Sequence, residues 1–228
     1  MLGFVEEIVL LQLDDTRGGL AELPLSAADI VLAGAAVMEL ALLNRIDSDL
    51  QHLFVVDPSP TGDAMLDDVL ARLAPDGAED GAKDGAELNA ELNATAAVER
   101  ITGQADAYRR EALQRLVAKG ILREENGRHF WVFRTRRYPV IDDREQREVK
   151  ARLRQLLLTD EIPDPHDVVL ICLIEACDLL GLVLSADEIA RTKTRVEQLG
   201  RLDLIGQAVT RAVAEIRFII RHATSAIY

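Results

Sequence analysis

"SAADIVLAGAAVMELALLNRI", Ser26 to Ile46, is the stretch whose reading decides the fold. Alanine and leucine, both strong helix formers, fill much of it, and Gly34 is its one breaker. The spacing predicts a buried helix from about 27 to 44, entered at Ser26. Upstream, the apolar run Phe4 to Leu13 predicts a short helix, closed by a turn at Gly18-Gly19. Downstream, "RIDSDLQHLFVVD" places Leu50, Leu53, Val55 and Val56 around a polar turn, as in a small β-hairpin.

The rest of the chain extends this pattern. "PSPTGDAMLDDVLARL" reads as a turn and a helix, with Thr61 or Asp63 as cap and Asp67 and Asp68 near the positive helix end. Residues 75–97, rich in DGA and ELNA units, read as a flexible acidic linker that turns helical towards its end. "YRREALQRLVAKG" is a helix with Leu113, Leu116 and Val117 on one face and Gly120 as its stop. "ILREENGRHFWVFR" reads as two strands about a tight Asn126-Gly127 turn, where both central residues need positive φ. Four helices follow. "REQREVKARLRQLLL" is amphipathic. "HDVVLICLIEACDLLGLVL" is apolar nearly all round and is expected at the centre. "SADEIARTKTRVEQL" opens on a Ser185/Glu188 capping box, and an apolar-striped helix ends the chain. The expectation is a mainly α fold over 1–228: a single helical domain with inserted β-hairpins, helix-then-hairpin occurring twice.

Composition narrows the function. Apolar residues make up 49% of 228, a globular proportion. Cys172 and Cys177, both in an apolar stretch, read as reduced core residues of a cytosolic protein. No leader pattern opens the chain and no uncharged run approaches the ~20 residues of a membrane span. The protein is expected to be soluble or attached to a membrane surface. Phosphate-binding glycine loops, dinucleotide fingerprints and nucleophile elbows are absent, so no cofactor and no catalytic residue is assigned. His52, His129, His166 and His222 lie too far apart for a helical metal motif. Asp57 and Asp63 in "DPSPTGD" read as turn and cap residues.

Charge is segregated. The chain carries a formal net charge of -13, yet Arg100 to Arg154 holds 15 Lys+Arg against 8 Asp+Glu, a local net of +7. Within this segment, 120–137 gathers Arg123, Arg128, Arg136 and Arg137 around Trp131, the only tryptophan. Such a hairpin suits a membrane interface or a protein–protein hot spot. It equally suits a core tryptophan with a solvated arginine edge. A winged-helix module contacting DNA ends in the same helix–strand–turn–strand order, but the acidic body disfavours nucleic acid.

The order and spacing of "VEEIVLLQLDD", "MELALLNRI", "PTGDAMLDDVL", "LVAKGIL", "YPV" and "PDPHDVVLICLIEACDLL" resemble the Golgi phosphoprotein family from Val5 to the C-terminal helix. The resemblance implies a single mainly helical domain, no enzymatic activity and peripheral membrane attachment. In eukaryotic members it implies phosphatidylinositol 4-phosphate held by a tryptophan and several arginines, and a hairpin that joins in oligomerisation beside the membrane. Of those pocket positions only Arg109 matches, with Arg110 beside it. Pro24, Ala33 and Asp106 stand where the family has a tryptophan and two arginines. The resemblance therefore implies binding of anionic phospholipid through Arg109, Arg110 and Arg115, with little headgroup selectivity. The hairpin would contact the membrane or a second copy, in a protein that is cytoplasmic or peripheral at an inner membrane face. The Ala/Arg/Asp/Leu-rich composition points to a bacterial source. A cytosolic adaptor using the hairpin is the alternative.

Overall fold

The computed structural model describes residues 2–13, 25–48, 52–74, 92–127 and 135–201, with the backbone alone at 25–26, 126–127 and 135–137. It begins with α1 (Phe4–Gln12) and α2 (Leu25–Leu42), the helix on which the fold turns. From Ile30 to Met38 every side chain of α2 is inaccessible to solvent, so this helix is the core rather than a wall of it. It ends because Asn44 takes a left-handed conformation (φ 54°), and Arg45 N–H closes back on Leu40 at 2.9 Å. The chain then forms the expected hairpin, β1 (Ile46–Ser48) and β2 (His52–Val55).

Helix α3 (Ala64–Leu73) is capped by Asp63, whose carboxylate accepts from Met65 N and Leu66 N at 2.9 and 3.2 Å. Next come β3 (Leu92–Asn93) and α4 (Ala94–Thr102). The end of the stretch read as a linker is thus folded: β3 adds a third antiparallel strand to β2, and Asn93 caps α4. Residues 75–91 lie outside the described residues. Helix α5 (Ala105–Ala118) stops at Gly120, whose φ of +74° lets Ile121 N–H reach Leu116 O at 3.0 Å.

The second hairpin corrects the sequence reading. Its strands are β4 (Glu125–Gly127) and β5 (Thr135–Arg137), with Asn126 opposite Arg136 and Gly127 opposite Thr135. Asn126-Gly127 is therefore a ladder position and not the turn. The arms agree with that register further out, where Leu122 bridges to Val140 and Arg123 N–H donates to Pro139 O at 3.0 Å. Glu125 lies opposite Arg137 in this ladder.

Helices α6 (Arg144–Leu158), α7 (Pro165–Ala176) and α8 (Ala186–Leu199) complete the described fold, with a 3-10 turn at Leu180–Leu182. Asp164 caps α7 with Pro165 at its first turn, and Ser185 and Glu188 form the capping box of α8. Helix α7 is buried from Asp167 to Ile174, as its all-round apolar sequence requires. The final helix expected on sequence lies outside the described residues. The architecture is mainly α with small antiparallel sheets, and among the described residues no helix is long and apolar enough to cross a membrane.

Candidate functional site

Of the basic residues singled out in the sequence, Arg109, Arg110 and Arg115 lie on α5, and the structure gives Arg109 and Arg115 acidic partners from distant segments. Arg109 is 7% exposed, and its guanidinium bonds Asp29 of α2 and Asp106 one turn earlier, the latter at 2.6 Å. Its Nε is buried without a partner. Arg115 grips both oxygens of Asp63, with Nη2 at 2.7 Å from Oδ1, and gives Nε to Glu111 at 3.0 Å. Burial works against the Asp63 carboxylate, but the Arg115 fork and two backbone N–H groups hold its pKa below the ordinary range. Lys119 Nζ meets both oxygens of buried Glu6 at 2.6 and 2.7 Å. Arg110 is exposed and makes no ion pair among the described residues. The α5 cations thus form a ladder that ties α5 to α1, α2 and the cap of α3.

Asp57 and Asp63 are turn and cap residues as read: Asp57 accepts from Ser59 N–H at 2.9 Å and pairs with Arg45. In the hairpin, Arg123 is exposed and pairs with Glu125 at 2.6 Å. Arg136 and Arg137 sit on β5 at positions paired with Asn126 and Glu125. Arg128 and Trp131 lie outside the described residues.

A second polar cluster went unremarked in the sequence. Arg152 of α6 donates Nη2 to both oxygens of Glu7 (3.1 Å each) and Nε to Asp167 of α7 at 2.8 Å. Asp164, His166 and Asp167 each bring a ligand atom within 4.8 Å of the others. One oxygen of each aspartate is engaged, Asp164 Oδ1 by the Asp167 N–H and Asp167 Oδ1 by Arg152. The trio is built as a helix cap and an ion pair rather than as a cation site. The motif "PDPHD" is thus a structural junction. Sequence spacing gives no signal for it, since Glu7 and Arg152 are 145 residues apart.

The sequence model of the family described as Golgi phosphoprotein 3 (GPP34) matches residues 4–216, most of the chain. The chain belongs to this family. Among curated relatives, the Vacuolar protein sorting-associated protein 74 of Eremothecium gossypii is 28% identical over 209 residues, covering 81% of this chain and 62% of the relative. The chain spans less than two thirds of that relative's length.

Within this Golgi phosphoprotein 3 family member, Ala33 on α2 and Asp106 and Arg109 on α5 are the described positions among those tied by resemblance to a headgroup pocket. Ala33 is fully buried in the core, and Pro24 lies outside the described residues. Asp106 supplies an anion where a cation was expected, and it holds Arg109. Asp29, four residues before Ala33, is the second clamp and was not visible as such in the sequence, being 80 residues from Arg109. Arg109 is thus held by two carboxylates, Asp29 and Asp106.

Proposed function

We propose that this chain is a non-catalytic peripheral membrane protein that meets anionic phospholipid by charge and not by headgroup shape. One observation carries the reading: the α5 cations Arg109, Arg115 and Lys119 are already paired inside the fold. The hairpin and its arms then carry the densest remaining run of positive charge in the sequence. Residues 121–140 carry five arginines against two glutamates. Arg123, Arg128, Arg136 and Arg137 would face phosphates, Trp131 would sit at the interface, and Arg110 would add a further cation. Arg109 and Arg115 would act as braces for α5. The family's Golgi description and the relative's role in vacuolar protein sorting, as its name has it, support a place in membrane traffic on a cytoplasmic face. Self-association through the hairpin is compatible with the same surface.

Vesicle co-sedimentation tests the reading. Vesicles of phosphatidylserine, phosphatidylglycerol or phosphatidylinositol 4-phosphate, matched for total charge, should bind alike. A preference of tenfold or more for phosphatidylinositol 4-phosphate would overturn the charge-only mechanism. No binding to any anionic vesicle at low salt would overturn the membrane reading itself.

A further inference from the structure

Three helices bring a buried set of titratable groups together that the membrane reading leaves unused. Glu7 of α1 is 3% exposed and Asp167 of α7 is 4% exposed, and Arg152 of α6 bridges them. His166 lies on the same junction. Its ring stacks on Phe4 of α1 (centroids 4.0 Å apart, 8° between planes), and its Nδ1 is 3.9 Å from Glu7 Oε2. The other ring nitrogen, Nε2, is buried with no partner.

The charge count does not close. Two buried carboxylates share one guanidinium, so with His166 neutral the cluster holds one uncompensated negative charge. The surroundings do not correct it. Asp164, at the cap of α7, adds another negative charge. On α1 itself Glu6 is committed to Lys119 of α5, and Glu39 of α2 faces the N-terminal N–H groups of α1. Glu148 and Glu161 line the groove of about 530 Å³ that opens beside Arg152, Asp164 and Asp167. Among the described residues, the other cations at this junction are Lys119, engaged by Glu6, and Arg195, which donates to the carbonyl oxygens of Leu156 and Glu161 at the groove. A single proton, on Glu7 or on His166, makes the set of Glu7, Arg152, Asp167 and His166 neutral, with Asp164 exposed to solvent outside it.

We propose that Glu7, Arg152, Asp167 and His166 form a proton-operated latch that holds α1 against α6 and α7. With the proton in place the junction is neutral and closed. Without it a buried charge is unbalanced, and α1 loosens. Burial pushes the Glu7 carboxyl up to about 7 and pushes His166 down, so within the folded cluster the proton resides on Glu7. The groove exposes the Asp167 side of the cluster, which gives protons a route that needs no global unfolding. Neighbouring Glu6 grips Lys119, one residue before Gly120, so loosening of α1 reaches the root of the hairpin arm.

The sign follows from linkage. A folded pKa raised above the unfolded one favours the folded state at low pH, and this advantage disappears as pH rises through the folded value. His166, with its lowered pKa, acts in the opposite direction and offsets part of the effect. The test is hydrogen–deuterium exchange of the full chain at pH 6 and pH 8, corrected for intrinsic rates. Protection of the α1 amides should fall between about two- and tenfold across this range in the natural sequence. In Glu7→Gln the fall should shrink to a small fraction of that in the natural sequence, because the Glu7 contribution is gone and those of Asp167, raised by burial, and His166, lowered by burial, oppose each other. An equal fall in both proteins would overturn the latch, as would no fall in the natural sequence. Should Glu7→Gln fail to fold, a carbon-13 titration of the Glu7 carboxyl in the natural sequence decides: a midpoint near 7 supports the latch and one below 5 overturns it. Neither measurement involves lipid, so the latch and the membrane reading stand or fall separately.

Discussion

Gln146 joins two helices through one amide group. It is 2% exposed, and its Nε2 donates to Leu10 O at 2.8 Å and Leu13 O at 3.0 Å, closing the C-terminal end of α1 from α6. The opposite end of α1 is closed by Glu39 of α2, which accepts the Phe4 and Val5 N–H groups. Gln146→Ala would remove the side-chain donor from Leu13 O and from Leu10 O, which keeps the Leu13 N–H at 3.2 Å, and should lower unfolding free energy by about 1–3 kcal/mol in a denaturant titration. Arg147→Ala, next door on an exposed surface pair, should change it little. Gly3→Ala would drive a Cβ into the Glu39 carboxylate, which its two backbone bonds hold in place, and should destabilise by about 1–3 kcal/mol. At this scale the sequence offers few pointers: Glu39 and Gln146 look like any polar residues within a helical run. Arg109 is the converse case. It was legible as a basic residue, but its clamp was not. If Asp29 and Asp106 silence it, Asp29→Asn with Asp106→Asn should raise affinity for anionic vesicles about fivefold at low salt. Unchanged affinity would place Arg109 away from the membrane.

Helices were the legible elements because their signals are local. Asp63 and Ser185 mark two starts and Gly120 one stop, and α2 and α7 announce burial by their apolar sequences, whereas the caps Asn93 and Asp164 and the left-handed Asn44 emerged only with the structure. Strands were less legible, since their partners are distant. Leu92 and Asn93 carry no strand signal of their own and become β3 only because β2 offers a free edge. The misplaced turn has a related cause. Asn-Gly suits a type I′ turn, yet the pairing of Glu125 with Arg137 and Leu122 with Val140 binds the arms in a register that carries Asn126-Gly127 inside the ladder. At the level of the hairpin, Trp131 fluorescence should shift to the blue when anionic vesicles are added. Arg136→Glu combined with Arg137→Glu should weaken vesicle binding at least tenfold while leaving the thermal midpoint within a few degrees. A fluorescence shift with protein concentration alone would point to self-association instead.

The whole molecule separates an acidic body from a basic middle: outside Arg100 to Arg154 there are 11 Lys+Arg against 31 Asp+Glu. Such a body repels an anionic surface, so attraction depends on orientation and on short range. Binding should therefore decline steeply between 50 and 200 mM salt, as the Debye length falls through about 10 Å. Salt-independent binding, measured by co-sedimentation, would mean that insertion of apolar surface dominates over charge. Much of the apparent basic surplus is internal to the fold, because Arg109, Arg115, Lys119, Arg152 and Arg154 all reach carboxylates on other elements. This is why the count of charges overstated the free cationic surface.

The sequence by itself determined the fold class, the order of most of the helices, the Asp63 and Ser185 caps, the Gly120 stop and the helices that had to be buried. Those properties follow from propensity and periodicity over a few turns, where each residue's neighbours along the chain are also its neighbours in space. Motif order also determined the family. Only the tertiary structure decided which charges are free. Asp29 with Arg109, Asp63 with Arg115, Glu6 with Lys119 and Glu7 with Arg152 are separated by 52 to 145 residues, and their meeting depends on how α1, α2, α3, α5 and α6 pack. An ion pair needs two groups within about 4 Å, and no local pattern records a distance between helices.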